Sequence, residues 1–185
     1  RDHKNVNPLE NIVFKKGTPK IKKKIKGTLA SLLSSGSANY NYWHWILDVL
    51  PRFKIFENCL KDIDFFLLPN FETNFQKETI RLLNISNNQV LSSKYYRHVY
   101  SDKIYTTSHP YNLSNNPYND HLDIPIWITN YLRKKFLPHK NKKNFPKKFY
   151  IDRSDSTADY KFSRIILNEN EVKDYLKKIG YEILT

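Results

Sequence analysis

Apolar positions along the chain recur with two periods, one typical of helices and one typical of strands. The strongest helical pattern lies in residues 42–56, where apolar side chains return every three to four positions. Pro51 lies inside this pattern and has no N–H to donate to the preceding turn. We therefore expect one long helix that kinks or locally opens just past Asp48. Ser37 and Asn39 are the expected N-caps.

The rest of the chain alternates further strands with helices. Short apolar runs bounded by turn residues predict strands, and apolar spacing near 3.6 residues predicts helices. The predicted strands cover 62–70, 89–93, 95–107, 147–152 and 181–184, and the predicted helices cover 74–85, 123–137 and 168–180. Strands that alternate with helices form parallel sheets through right-handed crossovers, so the predicted fold class is α/β.

A polar, basic stretch bracketed by prolines, residues 138–146, is the expected linker. It predicts a domain over residues 1–140 and a second unit over residues 141–185. The second unit consists of a single βαβ pattern, and so few strands do not bury both faces of a sheet. We therefore expect this unit to be the start of a truncated domain. The absence of methionine, even at position 1, likewise predicts a fragment or a processed product.

The chain is strongly basic, with 31 Lys and Arg against 18 Asp and Glu and a net charge of +13. Residues 15–26 contain seven lysines, residues 133–148 contain eight basic residues, and neither stretch contains an acid. Solvated loops are the simplest interpretation of both stretches. Contact with an anionic membrane face or another polyanion is the alternative, because a field of this sign attracts such partners.

Cysteine content and hydropathy bear on location. The single cysteine, Cys59, has no internal disulfide partner, which predicts a reducing compartment and a buried thiol. No run reaches the roughly 18 apolar residues that a membrane span needs. The expected location is the cytoplasm, with peripheral attachment at the inner face of the membrane as a further expectation.

Three polar residues of the long helix are candidates for chemistry. His44, Asp48 and Arg52 follow one another at intervals of four, which brings them onto one helix face, and Arg52 is a candidate for substrate binding. Asp48 is a candidate general base, whose pKa would be raised by apolar surroundings and lowered by the neighbouring cations. A purely structural pair of His44 with Asp48 is the alternative, because such pairs are common and weak.

A second group of candidates follows the predicted strand 147–152. Arg153 and Ser154 come directly after it, where open α/β sheets bind ligands. The planar guanidinium of Arg153 suits a phosphate group, and a surface arginine in a turn is the alternative. Arg164 either reaches the same ligand or pairs with an acidic residue of the next helix.

Several classes of site are absent from the sequence. With four glycines in all, the chain has no Gly-rich loop of the P-loop or dinucleotide-binding type. The six histidines are scattered and do not follow the spacing of a zinc site. No serine or cysteine lies in a nucleophile-elbow motif.

Two segments together resemble glycosyltransferase family 61. NYNYWHWILDVLPRF, residues 39–53, resembles the family signature N-Y-x-H-W-x-x-D-x-L-P-R. FYIDRSDSTADYKFSRIILNENEVKDYLKKIGYEIL, residues 149–184, resembles its Y-I-S-R, R-x-x-L-N-E-x-E-V and L-x-x-x-G-[FY]-E segment. The order and the spacing also fit. Asp152 stands where the family usually has Ser, and the later G-P-H-G-A-G-L segment of the family does not occur in this chain.

The resemblance implies a GT-B glycosyltransferase, with two Rossmann-like domains facing across a cleft. It implies sugar transfer with inversion from a nucleotide-sugar donor to a glycan or polysaccharide acceptor, without a bound cofactor or an obligatory metal. Synthesis of capsular or other surface polysaccharide is the expected context. Because the later family segment is missing, this chain alone is expected to be inactive.

The same resemblance assigns roles to residues. His44 and Asp48 would line the cleft on the acceptor-side domain, with Asp48 as the base that deprotonates the acceptor hydroxyl. Arg153 and Arg164 match basic positions beside the donor, in the nucleotide-sugar-binding domain. There they would offset the charge that develops on the departing diphosphate.

Two other functions are open alternatives. A nucleic-acid-binding module would use the +13 charge and the aromatic and basic residues of YYRHVY, residues 95–100, although no nucleic acid partner is expected. A non-catalytic partner subunit would keep the fold without the activity.

Overall fold

The computed structural model describes residues 8–10, 17, 19–34, 36–111, 123–139, 146–152 and 166–184. Arg153, Ser154 and Arg164 lie outside these ranges. The chain divides into two compact units, Arg1–Lys140 and Asn141–Thr185.

A parallel sheet and three helices form the described part of the first unit. The strands are β1 (Lys23–Ser31), β2 (Phe65–Leu68), β3 (Val90–Ser92) and β4 (Val99–Thr106). Helix α1 has an α-helical segment (Tyr42–His44), a π-helical segment (Trp45–Val49) and a second α-helical segment (Leu50–Ile55). The other helices are α2 (Asn74–Leu82) and α3 (Ile126–Phe136). Short 3₁₀ turns occupy Pro8–Glu10, Gly36–Asn39, Glu57–Asp62, Asn87–Gln89 and Leu137–His139.

The strand order is β3-β2-β1-β4, and all neighbouring strands are parallel. The predicted α/β class is therefore confirmed, and the sheet is consistent with a Rossmann-like fold. From β1 the chain passes through α1 to β2 and through α2 to β3, and then returns to place β4 on the other side of β1. The winding direction thus reverses between β1 and β4, which is the switch point of the sheet.

The helices pack on one face of the sheet and form the main core. Trp45, Val49 and Leu50 of α1, Ile80 of α2 and Tyr131 of α3 belong to one buried cluster with strand residues. The opposite face holds a smaller cluster, to which Tyr96 contributes from the connection between β3 and β4. Because β3 and β4 lie at opposite edges, this connection must cross that second face.

Strand β1 corrects the interpretation of residues 15–26 as a solvated loop, since Lys23 to Lys26 lie in an interior strand. Lysines are tolerated there because β2 pairs with β1 only from Leu29 onward, so the first half of β1 has a neighbour on the β4 side alone. A bulge separates the halves at Gly27, whose φ of 113° favours glycine. Residues 133–136, which belong to the second basic stretch, form the last turn of α3, as the predicted helix 123–137 requires.

Helix α1 confirms the predicted long helix and shows how the proline is accommodated. The N–H of Leu50 donates to the carbonyl of Trp45, which is the wider hydrogen-bond step of a π-helix. Pro51 then lies at the start of the next α-helical segment, where a missing N–H is tolerated. The predicted N-caps were wrong: the side chain of Asn41 accepts the N–H groups of Trp43 and His44.

The described part of the second unit is the predicted βαβ pattern. Strands β5 (Phe149–Ile151) and β6 (Glu182–Leu184) are parallel and are joined through α4 (Glu169–Lys178). Asp152, the departure from the family pattern, accepts a hydrogen bond of 2.9 Å from Lys173. This contact raises the pKa of Lys173 above its ordinary value. Most of the predicted linker, residues 140–145, lies outside the described ranges.

Candidate active site at the carboxyl ends of β1 and β4

Polar side chains from two elements meet at the carboxyl ends of β1 and β4. Helix α1 follows β1, and the loop of residues 107–111 follows β4 directly. In open α/β sheets, ligands bind outside the carboxyl ends of the strands at the switch point. The described part of the first unit therefore has its candidate site where α1 and this loop come together.

Asp48 is the centre of the cluster and is almost completely buried, with 4% of its surface exposed. One carboxylate oxygen, Oδ2, lies 2.8 Å from Nδ1 of His44. The other, Oδ1, accepts a hydrogen bond of 2.7 Å from the hydroxyl of Tyr111. Both oxygens are therefore engaged by neighbouring side chains, as a buried carboxylate requires.

His44 lies in the first turn of α1, and 24% of its side chain is exposed. Because an ionised carboxylate only accepts hydrogen bonds, the contact with Asp48 places the proton of a neutral imidazole on Nδ1. The lone pair then lies on Nε2, to which no group in the described ranges hydrogen-bonds. The pair thus has a basic nitrogen, Nε2 of the partly exposed His44, on the side of the ring away from the buried carboxylate of Asp48.

A second imidazole approaches the same carboxylate. Nε2 of His109 lies 3.8 Å from Oδ1 of Asp48, and Nδ1 lies 3.1 Å from the carbonyl oxygen of Tyr111. The rings of His109 and Tyr111 are also in edge-to-face contact at 4.4 Å. A carbonyl only accepts, so Nδ1 of His109 carries a proton, and a protonated ring would add a positive charge beside Asp48.

Arg52 joins α1 to the end of β4. Its Nε donates to the backbone carbonyl of Asp48 at 2.8 Å, and its Nη1 donates to Oγ1 of Thr107 at 3.1 Å. Only 6% of the residue is exposed. Burial lowers the pKa of Arg52 below its ordinary value, and the charge of Asp48 opposes this change. The described hydrogen bonds of Arg52 are thus made to Asp48 and Thr107 of the protein. Its contact with a substrate stays a prediction.

The structure brings three of the predicted site residues together, namely His44, Asp48 and Arg52. Sequence reasoning missed Thr107, His109 and Tyr111. The available signal was their position at or directly after the end of the predicted strand 95–107, the rule that singled out Arg153.

Chemically, the cluster can accept a proton from a hydroxyl group and hold the resulting imidazolium against a carboxylate. It contains no nucleophilic serine or cysteine among its described members. Across the described ranges, no three His, Cys, Asp or Glu side chains are arranged to hold a metal ion.

Comparison with known proteins gives one match. The family model described as Glycosyltransferase 61 matches residues 42–185, which is more than three quarters of the chain. The matched region begins at α1 and includes the whole His44–Asp48 cluster and the second unit. Searches of curated proteins and of solved structures gave no match.

Proposed function

The chain belongs to glycosyltransferase family 61 and is a glycosyltransferase, and from this premise we propose that it transfers a sugar from a nucleotide-sugar donor to a hydroxyl group of a glycan acceptor with inversion. Synthesis of capsular or surface polysaccharide, a GT-B architecture and independence of an obligatory metal are parts of the proposal that the family resemblance supports. Residues 1–140 would form the acceptor-side domain, and residues 141–185 would belong to the nucleotide-sugar-binding domain.

The proposed reaction is a single displacement. The acceptor oxygen forms a bond to the anomeric carbon of the donor as its proton passes to a base. The bond from that carbon to the diphosphate oxygen breaks, and the nucleoside diphosphate leaves with the electron pair. The enzyme must therefore supply a base on the acceptor side and positive charge on the donor side.

His44 is the proposed base, and the observation that carries this assignment is its 2.8 Å contact with Asp48. Nε2 of His44 is on the partly exposed side chain, whereas both oxygens of Asp48 are engaged and buried. Asp48 is then a positioning residue, which holds the imidazole in the reactive tautomer and stabilises the imidazolium. This assignment reverses the roles expected from the sequence, in which Asp48 was the base.

Arg153, Ser154 and Arg164 are the proposed donor-binding residues, and the family motif supports them. The two arginines would neutralise charge on the leaving diphosphate. Arg52 is proposed to position α1 against the loop after β4, since its described hydrogen bonds join those two elements.

The proposal places the protein in the cytoplasm, in peripheral contact with the inner face of the membrane. The net charge of +13 supports this contact. No helix in the described part of the chain has the length and apolar character needed to cross a bilayer.

The test is the substitution His44→Gln in the full-length protein. With a panel of UDP- and GDP-sugars and glycan acceptors, release of nucleoside diphosphate should fall about 10³-fold, because general-base catalysis contributes factors of this size. Binding of nucleoside diphosphate should stay unchanged. The matched control is His139→Gln, at an exposed position, which should transfer at the native rate.

A different outcome would identify a purely structural pair. In that case His44→Gln would lower the stability of the protein and leave the rate per folded molecule unchanged. Native transfer by a folded His44→Gln protein would refute the proposed base.

A further inference from the structure

Two segments far apart in the sequence meet at the amino ends of β1 and β4. The backbone N–H of Lys23 donates to the carbonyl of His98 at 2.9 Å. Nδ1 of His98 lies 2.8 Å from the carbonyl oxygen of Pro19. These contacts bring residues 19–26 and residues 95–100 side by side at one end of the sheet.

We call the exposed part of residues 19–26 and 95–100 the basic surface. Its cations are Lys20, Lys22, Lys23, Lys24, Lys26 and Arg97, and all six are exposed. Neither segment contains an acidic residue. Among the described residues, none of the six cations forms an ion pair. The nearby carboxylates of Asp64 and Asp102 instead accept backbone N–H groups, at Thr28 and Gly27.

Apolar and aromatic side chains lie among these cations. Ile21 is 81% exposed, Tyr95 is 59% exposed and Tyr100 is 52% exposed. Such side chains beside lysines suit the headgroup region of a bilayer, where aromatic rings and short apolar groups are partly immersed.

Two of the tyrosine rings are covered by ammonium groups. Nζ of Lys23 lies 4.4 Å from the ring centroid of Tyr96, and Nζ of Lys22 lies 5.3 Å from that of Tyr100. Binding of single-stranded nucleic acid depends on open aromatic faces for base stacking. The observed cation contacts therefore favour a lipid surface over a nucleic acid.

We propose that the basic surface binds the anionic face of a lipid bilayer. Six exposed cations provide the attraction to anionic headgroups, and Ile21 together with the exposed parts of Tyr95 and Tyr100 provides a shallow apolar contact. The basic surface lies at the opposite end of β1 and β4 from the candidate active site.

The distance between the basic surface and the candidate active site limits which acceptor can be used, an inference that rests on the proposed function. A strand of eight residues spans roughly 26 Å, at about 3.3 Å for each residue. On a bilayer bound through the basic surface, the His44–Asp48 cluster would lie at about that distance from the headgroups. Such a site would act on the distal end of a growing glycan and not on a sugar next to the lipid.

The experiment is sedimentation of the full chain with vesicles of equal parts phosphatidylcholine and phosphatidylserine. Neutralising three central lysines, Lys22→Gln, Lys23→Gln and Lys24→Gln, should weaken binding about 10²-fold, since each lysine near such a surface contributes close to a factor of five. The matched control neutralises Lys77, Lys134 and Lys135, which are exposed and lie in α2 and α3. It has the same net charge and should bind like the native chain.

Two further measurements test the apolar contact and the preference for a lipid surface over a nucleic acid. Ile21→Ser should weaken vesicle binding several-fold and leave binding to heparin unchanged, because heparin offers charge without an apolar layer. The proposal is overturned if the native chain does not bind the vesicles, if both triple variants lose affinity equally, or if a single-stranded oligonucleotide binds more tightly than the vesicles at equal salt. Transfer to a soluble acceptor should be unchanged in the Lys22, Lys23 and Lys24 variant, which separates this test from that of the proposed base.

Discussion

The two ends of the β1 and β4 strand pair hold opposite arrangements of charge. At the carboxyl ends, Asp48 is buried and contacts His44 and Tyr111, with Arg52 close by. At the amino ends, the six cations of the basic surface are exposed, and residues 19–26 and 95–100 contain no acidic residue. The same two strands therefore carry a closed network of polar groups at one end and an open field of charge at the other.

The difference is whether the charged groups of each end are paired within the protein or exposed to solvent. A buried charge is costly unless it is paired and hydrogen-bonded, so the groups around Asp48 satisfy one another and hold His44 in one orientation. Exposed like charges repel one another, and lysines at a sheet edge discourage pairing with other strands. The carboxyl end is thus an internally satisfied network, and the amino end is where the proposed contact with a bilayer would form.

The largest expected effect breaks the closed network at Asp48. Asp48→Asn should lower the transfer rate about 10³-fold, comparable to the loss expected for the base itself. The asparagine amide can donate to Nδ1 of His44, which would move the imidazole proton to Nε2 and block the base. The measurement is the rate of nucleoside diphosphate release by folded protein, with Asp62→Asn, at an exposed position, as the control.

A double variant decides whether the two residues act as one unit. His44→Gln combined with Asp48→Asn should be no slower than the slower single variant, because residues that act together are not additive. Rate losses that multiply would contradict the proposed pair.

A smaller effect is expected when the carboxylate loses its other partner. Tyr111→Phe removes the hydroxyl that donates to Oδ1 of Asp48. The free energy of unfolding should fall by about 1.5–3 kcal/mol, as for hydrogen bonds to charged groups. Urea unfolding measures this change, and Tyr95→Phe, at an exposed ring, should leave the stability unchanged. An unchanged stability in Tyr111→Phe would show that the hydrogen bond from Tyr111 to Asp48 does not stabilise the fold.

The smallest effect concerns a buried polar group that belongs to neither charge cluster. Burial raises the pKa of the Tyr131 hydroxyl above its ordinary value, and the charge of Glu57 acts in the same direction. The folded state therefore keeps this tyrosine neutral at a pH where the unfolded chain ionises. Its contribution to stability is complete below the unfolded pKa of about 10 and is lost as the pH rises above that value.

Urea unfolding between about pH 9 and pH 11 checks this sign. The native chain should lose more stability over this interval than Tyr131→Phe, which has no hydroxyl to ionise. Tyr100→Phe, at an exposed ring, is the control and should follow the native curve. Parallel curves for the native chain and Tyr131→Phe would contradict the assignment.

Much of the fold could be predicted because most elements carry a local signal. The period of α1 and the β5-α4-β6 pattern lie in short stretches of sequence, and the structure has them at nearly the predicted positions. Strand β1 was missed because its first half is rich in lysine, and only pairing with β4 makes it a strand. The N-cap Asn41 was missed because two neighbouring residues had equal propensity for that position.

The candidate site was predicted only in part, for a similar reason. His44 and Asp48 are four residues apart, so helical spacing alone indicates their contact. Tyr111 reaches Asp48 across 63 positions, and Thr107 reaches Arg52 across 55 positions. No local pattern predicts contacts at such separations, because they depend on the order of strands in the sheet.

By itself, the amino-acid sequence determined the α/β class, the helix that carries His44 and Asp48, and the membership in glycosyltransferase family 61. These depend on local periodicity and short motifs. Only the tertiary structure decided that the imidazole, not the carboxylate, faces outward, and that residues 19–26 and 95–100 lie side by side. Burial and the meeting of distant segments follow from the order in which strands pair, and that order has no local signature in the sequence.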